Sequence, residues 1–137
     1  MGTSSTIKFV SVKDGKIQLY VIIYQQFDGH PESVGSQLVK FVKSKKMVNG
    51  YNDKHSQFNG FGCMIAQYIA SIKDGAGNLY IYPTDSKCNA LYNYVLTYNE
   101  DDKSFTISCD EIKNNEAIPI DDYESSLDEY YKEINDE

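Results

Sequence analysis

The run "IQLYVIIY", Ile17 to Tyr24, constrains this chain more than any other stretch. Eight residues rich in β-branched and aromatic side chains are far too short to cross a bilayer. They favour a pleated, buried strand. Asp14-Gly15 stands just before the run, and Ile7 to Val12 precedes it with similar character. Asp-Gly accepts the positive φ angles of a two-residue hairpin turn. The spacing therefore predicts an antiparallel pair, 7–12 with 17–24, the second strand being central.

Two helices are expected after that hairpin. "QQFDGHPES" must turn at Asp28-Gly29 and Pro31. Ser33 is then placed to cap a helix from Val34. Val34, Leu38, Phe41 and Val42 share one helical face, and Lys40, Lys43, Lys45 and Lys46 suit its negative end. Residues 47–60, "MVNGYNDKHSQFNG", read as a long polar connection with two Asn-Gly pairs. Phe61 to Lys73 reads as a second helix, apolar over most of its circumference and largely buried. "DGAG" at 74–77 stops it.

The remainder alternates again. Strands are expected at 79–82, 89–98 and 104–109, with "NEDDK" turning the chain. Residues 1–5 are expected to fray, and 112–120 to be irregular. Tyr123, Leu127, Tyr130 and Ile134 recur at helical spacing among acids, which predicts an amphipathic C-terminal helix over 121–134. The fold class is α+β: a mostly antiparallel sheet of about five strands, two helices on one face, and that C-terminal helix. One domain is expected over 1–120, followed by an acidic helix and tail over 121–137. The Gly-containing loops are expected to gather near the leading ends of the two helices.

Composition bounds the partners. The 137 residues carry a net charge of -7, with thirteen Lys and no Arg. Residues 1–100 are net +3 and residues 101–137 net -10. The acidic end opposes a general nucleic-acid role, and the missing guanidinium removes bidentate phosphate and base-edge contacts. No run is apolar enough for a membrane span and no signal peptide is visible. Three cysteines without paired spacing read as free thiols in a reducing, cytoplasmic compartment. No metal or cofactor motif is present.

Several residues could carry chemistry. In "NGFGCMIAQYI", Cys63 lies near a helix start, where unpaired N–H groups stabilise a thiolate. Asp28 could orient His30 as its base, so an Asp28–His30–Cys63 set can be written. Equally, Cys63 is a small residue suited to core packing. A binding site for a small anionic ligand can be drawn from Asp28, Gly29, Ser33 and Gly35 in the 26–36 turn and Asn49, Asn59 and Gly60 in the 49–62 loop. The strand tyrosines at 80, 82, 92, 94 and 98 can build an aromatic patch for core or subunit contact.

Three motif blocks follow one another over roughly residues 20–83: "YQQFDGHPESVGSQLVKFV", "MVNG", and "NGFGCMIAQYIASIKDGAGNLYIYP". In this order they resemble a family of small uncharacterised proteins of large DNA viruses, phages and some bacteria. Asp28, Gly29, Pro31, Glu32, Gly35, Asn49, Gly50, Asn59, Gly60, Gly62, Cys63 and Gln67 match its pattern, and His30 stands where the family has Tyr. The resemblance implies a shared architecture and a viral or mobile-element origin, and it implies no reaction. Three functional expectations stand together. The first is a non-enzymatic homo-oligomer or interaction module with a protein partner. The others are a binder that sequesters a small anion, and a cysteine-dependent hydrolase or transferase.

Overall fold

The computed structural model describes residues 2–50, 52–53, 55–87, 90–113 and 116–119. The expected helix at 121–134 lies outside the described residues. Among the described residues, eight strands and two α-helices follow in the order β1 (Ser5–Lys13), β2 (Lys16–Gln25), α1 (Ser36–Lys43), β3 (Lys46–Val48), β4 (Gln57–Asn59), α2 (Phe61–Ile72), β5 (Leu79–Tyr82), β6 (Tyr92–Asn99), β7 (Ser104–Lys113) and β8 (Glu116–Pro119). Six strands form one sheet in the order β5-β2-β1-β6-β7-β8. Only the β1–β6 pair in this sheet is parallel. The architecture is α+β, mostly antiparallel, with both helices packed into the core on one face.

The hairpin at Asp14-Gly15 forms as the residue pair dictates. Lys13 pairs with Lys16, and both turn residues have positive φ, 51° and 75°. The register shifts between Phe9 and Val10, where a bulge turns Tyr20 toward Phe61, ring centroids 5.1 Å apart. β2 is internal, between β5 and β1, yet its first half is wet: Ile17 is 76% exposed. The middle of the sheet is β1 and β6, whose inward residues Ile7, Phe9, Tyr94 and Leu96 are all fully buried.

The core is a sandwich of that face with the helices. Leu38 and Val42 of α1 and Phe61, Met64, Ile65 and Tyr68 of α2 meet Phe9, Tyr98, Phe105 and Ile107 of the sheet. The aromatics are in ring contact: Phe9 with Tyr68 at 5.8 Å, Phe61 with Tyr98 at 5.5 Å, Tyr98 with Phe105 at 4.6 Å. Such pairs add about 0.5–1.5 kcal/mol each beyond their area burial.

Several expectations are corrected. The chain start is anchored: Ser5 and Thr6 are fully buried in β1, and Thr3 accepts a hydrogen bond from the Gly29 N–H. Helical backbone begins at Pro31, in a single wide turn over Pro31–Gly35, so Ser33 lies inside it and makes no side-chain cap. Pro suits that first position because its missing N–H would have had no helical partner. The 47–60 connection carries structure of its own, β3 and β4 paired in parallel. Side chains close it: Asn59 accepts from the Gly50 N–H at 2.7 Å, and Gln57 from Asn52 at 3.1 Å. Within the stretch expected to be irregular, residues 112–113 and 116–119 are strand, since β7 runs to Lys113 and pairs with β8. Helix α2 is less enclosed than its composition suggests, because Gly62, Ala66 and Ala70 face outward. Small apolar residues raise a helix's hydropathy without making it bury them.

Tyr94 and Tyr98 point into the core. Tyr24, Tyr80 and Tyr82 cluster on the other face, with rings 5.7–6.3 Å apart. The alternation of a strand separates them, so the tyrosines do not form one patch. Among the described residues, no helix is long and apolar enough to cross a membrane.

Candidate functional site

The two helices start at opposite ends of the sheet, and this decides which candidates meet. β1 carries the chain from the Thr3–Gly29 contact to the Asp14 hairpin. α1 starts beside the first of these ends. Phe61, at the start of α2, touches Tyr20 and Tyr98, and Tyr98 is level with Ser11. Thr3 and Ser11 are separated by eight residues of nearly extended chain, about 25 Å. His30 and Cys63 therefore lie at opposite ends of the fold. His30 Nε2 is 2.9 Å from Thr3 Oγ1, and its ring sits 5.5 Å from Tyr92. Cys63 is half-buried and accepts a long contact from Gln67 at 3.5 Å. Asp28, His30 and Cys63 are not assembled into a triad. The fold brings each Gly-containing loop to its own helix start, and those starts are apart.

The second loop is a structural clamp. Gly60 donates to the Val48 carbonyl at 3.0 Å, and Asn59 holds Gly50. Asn59 and Gly60 thus tie the end of β4 to Val48 and Gly50 at the hairpin end of the molecule, remote from Asp28; Asn49 lies exposed between those two residues. Gly29 and Gly35 are buried. A Cβ on Gly29 would lie 2.7 Å from Ser5 Cβ, so glycine is required where this turn crosses β1. Its carbonyl accepts the Tyr94 hydroxyl at 2.8 Å.

Asp28 and Ser33 do share a cavity. An open groove of ≈ 810 Å³ runs along α1. Its lining comes from Gln25 at the end of β2, from Phe27 and Asp28 in the turn after it, from the helical stretch Glu32, Ser33, Val34, Ser36, Gln37, Lys40, Phe41 and its cap Ser44, and from Ile72 and Asn78. The β2 end and Asn78 are held together by Gln26, whose N–H donates to the Asn78 carbonyl at 3.0 Å and whose Oε1 accepts from the Asn78 N–H at 3.1 Å. Lys73 Nζ closes the same loop through the Gly77 and Leu79 carbonyls. Phe27 stands at the rim, 53% exposed.

Gln25 is the unusual member. It is 9% exposed, on the inward register of β2 with Val21 and Ile23, and its Oε1 has no hydrogen-bond partner. Ser5, its cross-strand partner, is fully buried with an equally unpartnered Oγ. Gln25 does not stand out in the sequence beside the glycines and the serine of the turn that follows it. The signal was present: a polar side chain in inward register at the end of an apolar strand. Glu32, Gln37 and Lys40 look like any solvated helix face, and only packing places them on a groove.

Charge in the groove is divided along its length. Asp28 and Glu32 lie at the Gln25 end, and Lys40 two helical turns further on. Glu32 occupies the first turn of helix, where a carboxylate complements the exposed N–H groups. Among the described residues no cluster of three or more His, Cys, Asp or Glu could hold a metal ion.

Compared with family models, curated proteins and solved structures, the chain matches none. The groove must be read from its own chemistry.

Proposed function

We propose that this protein is a non-enzymatic binding module that retains a small polar molecule in the groove along α1. The observation that carries the reading is the buried, unpartnered Gln25 Oε1 beside an open cavity. A buried acceptor left without a donor costs about 1–3 kcal/mol. Such groups are uncommon in folded chains and call for a specific explanation. A ligand donor supplies one when the Gln25 amide turns from its enclosed position toward the groove.

The lining supports binding over turnover. It offers hydroxyls, amides, two carboxylates and one ammonium, with Phe27 and Phe41 as apolar surface. Among the described residues, no cysteine or histidine lines it. A free anion at the helix start is disfavoured, because Asp28 and Glu32 already occupy that end. If the chain is viral, as the motif resemblance implies, the host cytoplasm is where such a binder would act, and its chemistry is left to the groove.

Gln25→Leu tests this. Removing the orphaned amide should stabilise the fold by about 1 kcal/mol, while weakening any groove ligand by tenfold or more. Amide chemical shifts recorded during a screen of small polar fragments read both. Hits should perturb Gln25–Ser44 and Ile72–Asn78. Fragments that bind Gln25→Leu as well as the parent chain, or that perturb no groove amide, would overturn the reading.

A second reading, self-association, has one observation in its favour. The edge strand β5 presents Tyr80, 42% exposed, and Ile81, 60% exposed, next to the Tyr24–Tyr80–Tyr82 cluster. Exposed apolar edges template pairing with another chain. Sedimentation velocity should show a concentration-dependent dimer that Ile81→Lys abolishes. A monomer at all concentrations removes this reading.

A further inference from the structure

Resting on the groove as a binding site, we infer that its ligand is dipolar, with a primary ammonium at the Gln25 end and an anionic group toward Lys40. The Gln25 end is rich in acceptors. Gln25 Oε1 has no donor, and Asp28 and Glu32 are carboxylates that only accept. An ammonium brings three donors and one positive charge to three acceptors carrying two negative charges. The exposed Phe27 ring at the rim adds an aromatic face of the kind that attracts cations.

The other end has the opposite need. Lys40 lines the groove. Ser36 and Ser44 line it on the same helix, and their hydroxyls can donate; Ser44 is already committed to the Phe41 carbonyl at 2.6 Å. An anion there meets a full positive charge and a hydroxyl. Glu32 and Lys40 are eight residues apart, about 12 Å along a helix at 1.5 Å per residue. That span suits a short aliphatic zwitterion or an amino-acid-like molecule lying along the helix. A bare anion would satisfy Lys40 and leave Gln25 orphaned. A bare amine would do the reverse.

Matched probes separate these cases on the intact chain. Amide-shift titrations with 6-aminohexanoate, hexylamine, hexanoate and 1,6-hexanediol report affinity and location together. The zwitterion should bind at least about tenfold more tightly than either singly charged probe. Glu32→Gln should weaken 6-aminohexanoate and hexylamine but not hexanoate. Lys40→Gln should weaken 6-aminohexanoate and hexanoate but not hexylamine. Both side chains are exposed, so the variants fold. Hexanoate binding as tightly as the zwitterion, or four probes of equal affinity in the groove, would overturn the dipolar assignment and leave the binding site standing. No groove shift from any of the four, together with a fragment screen without groove hits, would overturn both.

Discussion

Tyr68 lies wholly within the core against Phe9 and Phe41, and its hydroxyl has no partner. Unlike Gln25, it is not among the residues lining the groove along α1. Tyr68→Phe should therefore stabilise the protein by about 1 kcal/mol in urea unfolding, since only a desolvation cost is removed. Burial also pushes the Tyr68 phenol well above its ordinary range, and the Cys109 thiol up to about 11. Both groups are neutral when protonated and hold their proton more tightly folded than unfolded. Their contribution is complete below the unfolded pKa and is lost as pH rises through the folded one. For Cys109 that window is about 9 to 11, worth about 2–3 kcal/mol at 1.36 per unit. Stability should fall across it, and Cys109→Ala should make the fall shallower. The same burial separates the thiols. In a chain with Cys88 replaced by serine, an alkylating reagent at pH 8 should modify the half-buried Cys63 about 100-fold faster than Cys109.

At the scale of elements, two glycines flank the start of α2 and do different work. Gly60 has φ 88°, and a Cβ there would meet nothing within 4 Å. Gly60→Ala should cost about 1–2 kcal/mol from backbone strain alone. Gly62 sits inside the helix at ordinary angles in equally open space. Gly62→Ala should stabilise by up to about 0.5–1 kcal/mol, because alanine loses less freedom on entering a helix. Paired thermal melts check both, and equal effects would remove the distinction. The β3–β4 clamp that Gly60 ends was hard to anticipate. Two three-residue strands have no measurable period, and side chains of Gln57 and Asn59 close the loop between them.

Across the whole molecule, the first strand is the keystone. β1 pairs with β2 on one side and with β6 on the other, joining residues more than eighty positions apart. Deleting residues 2–6 would remove the buried Ser5 and Thr6 and the Thr3–Gly29 tie. Loss of cooperative unfolding by circular dichroism is expected. A truncated chain that melts like the parent would mean that the end of β1 is dispensable. The parallel pairing also closes a long loop late, which favours slow folding.

Local patterns were enough for the hairpin, the helix faces and the strands at 79–82 and 104–109. Asp14-Gly15, the Val34–Leu38–Val42 stripe and the alternation through Phe105, Ile107 and Cys109 each act over a few residues. In β-branched and aromatic strands, register and inward face follow from a period of two. Strand order did not follow from them, nor did the placing of the two helix starts at opposite ends of the sheet. Those depend on contacts between residues far apart in the chain, from Phe41 with Tyr68 to the β1–β6 pairing, where the energy lies in packing that no short window contains. That one tertiary fact parts His30 from Cys63. It also lays Lys40, Glu32 and Gln25 along a single groove.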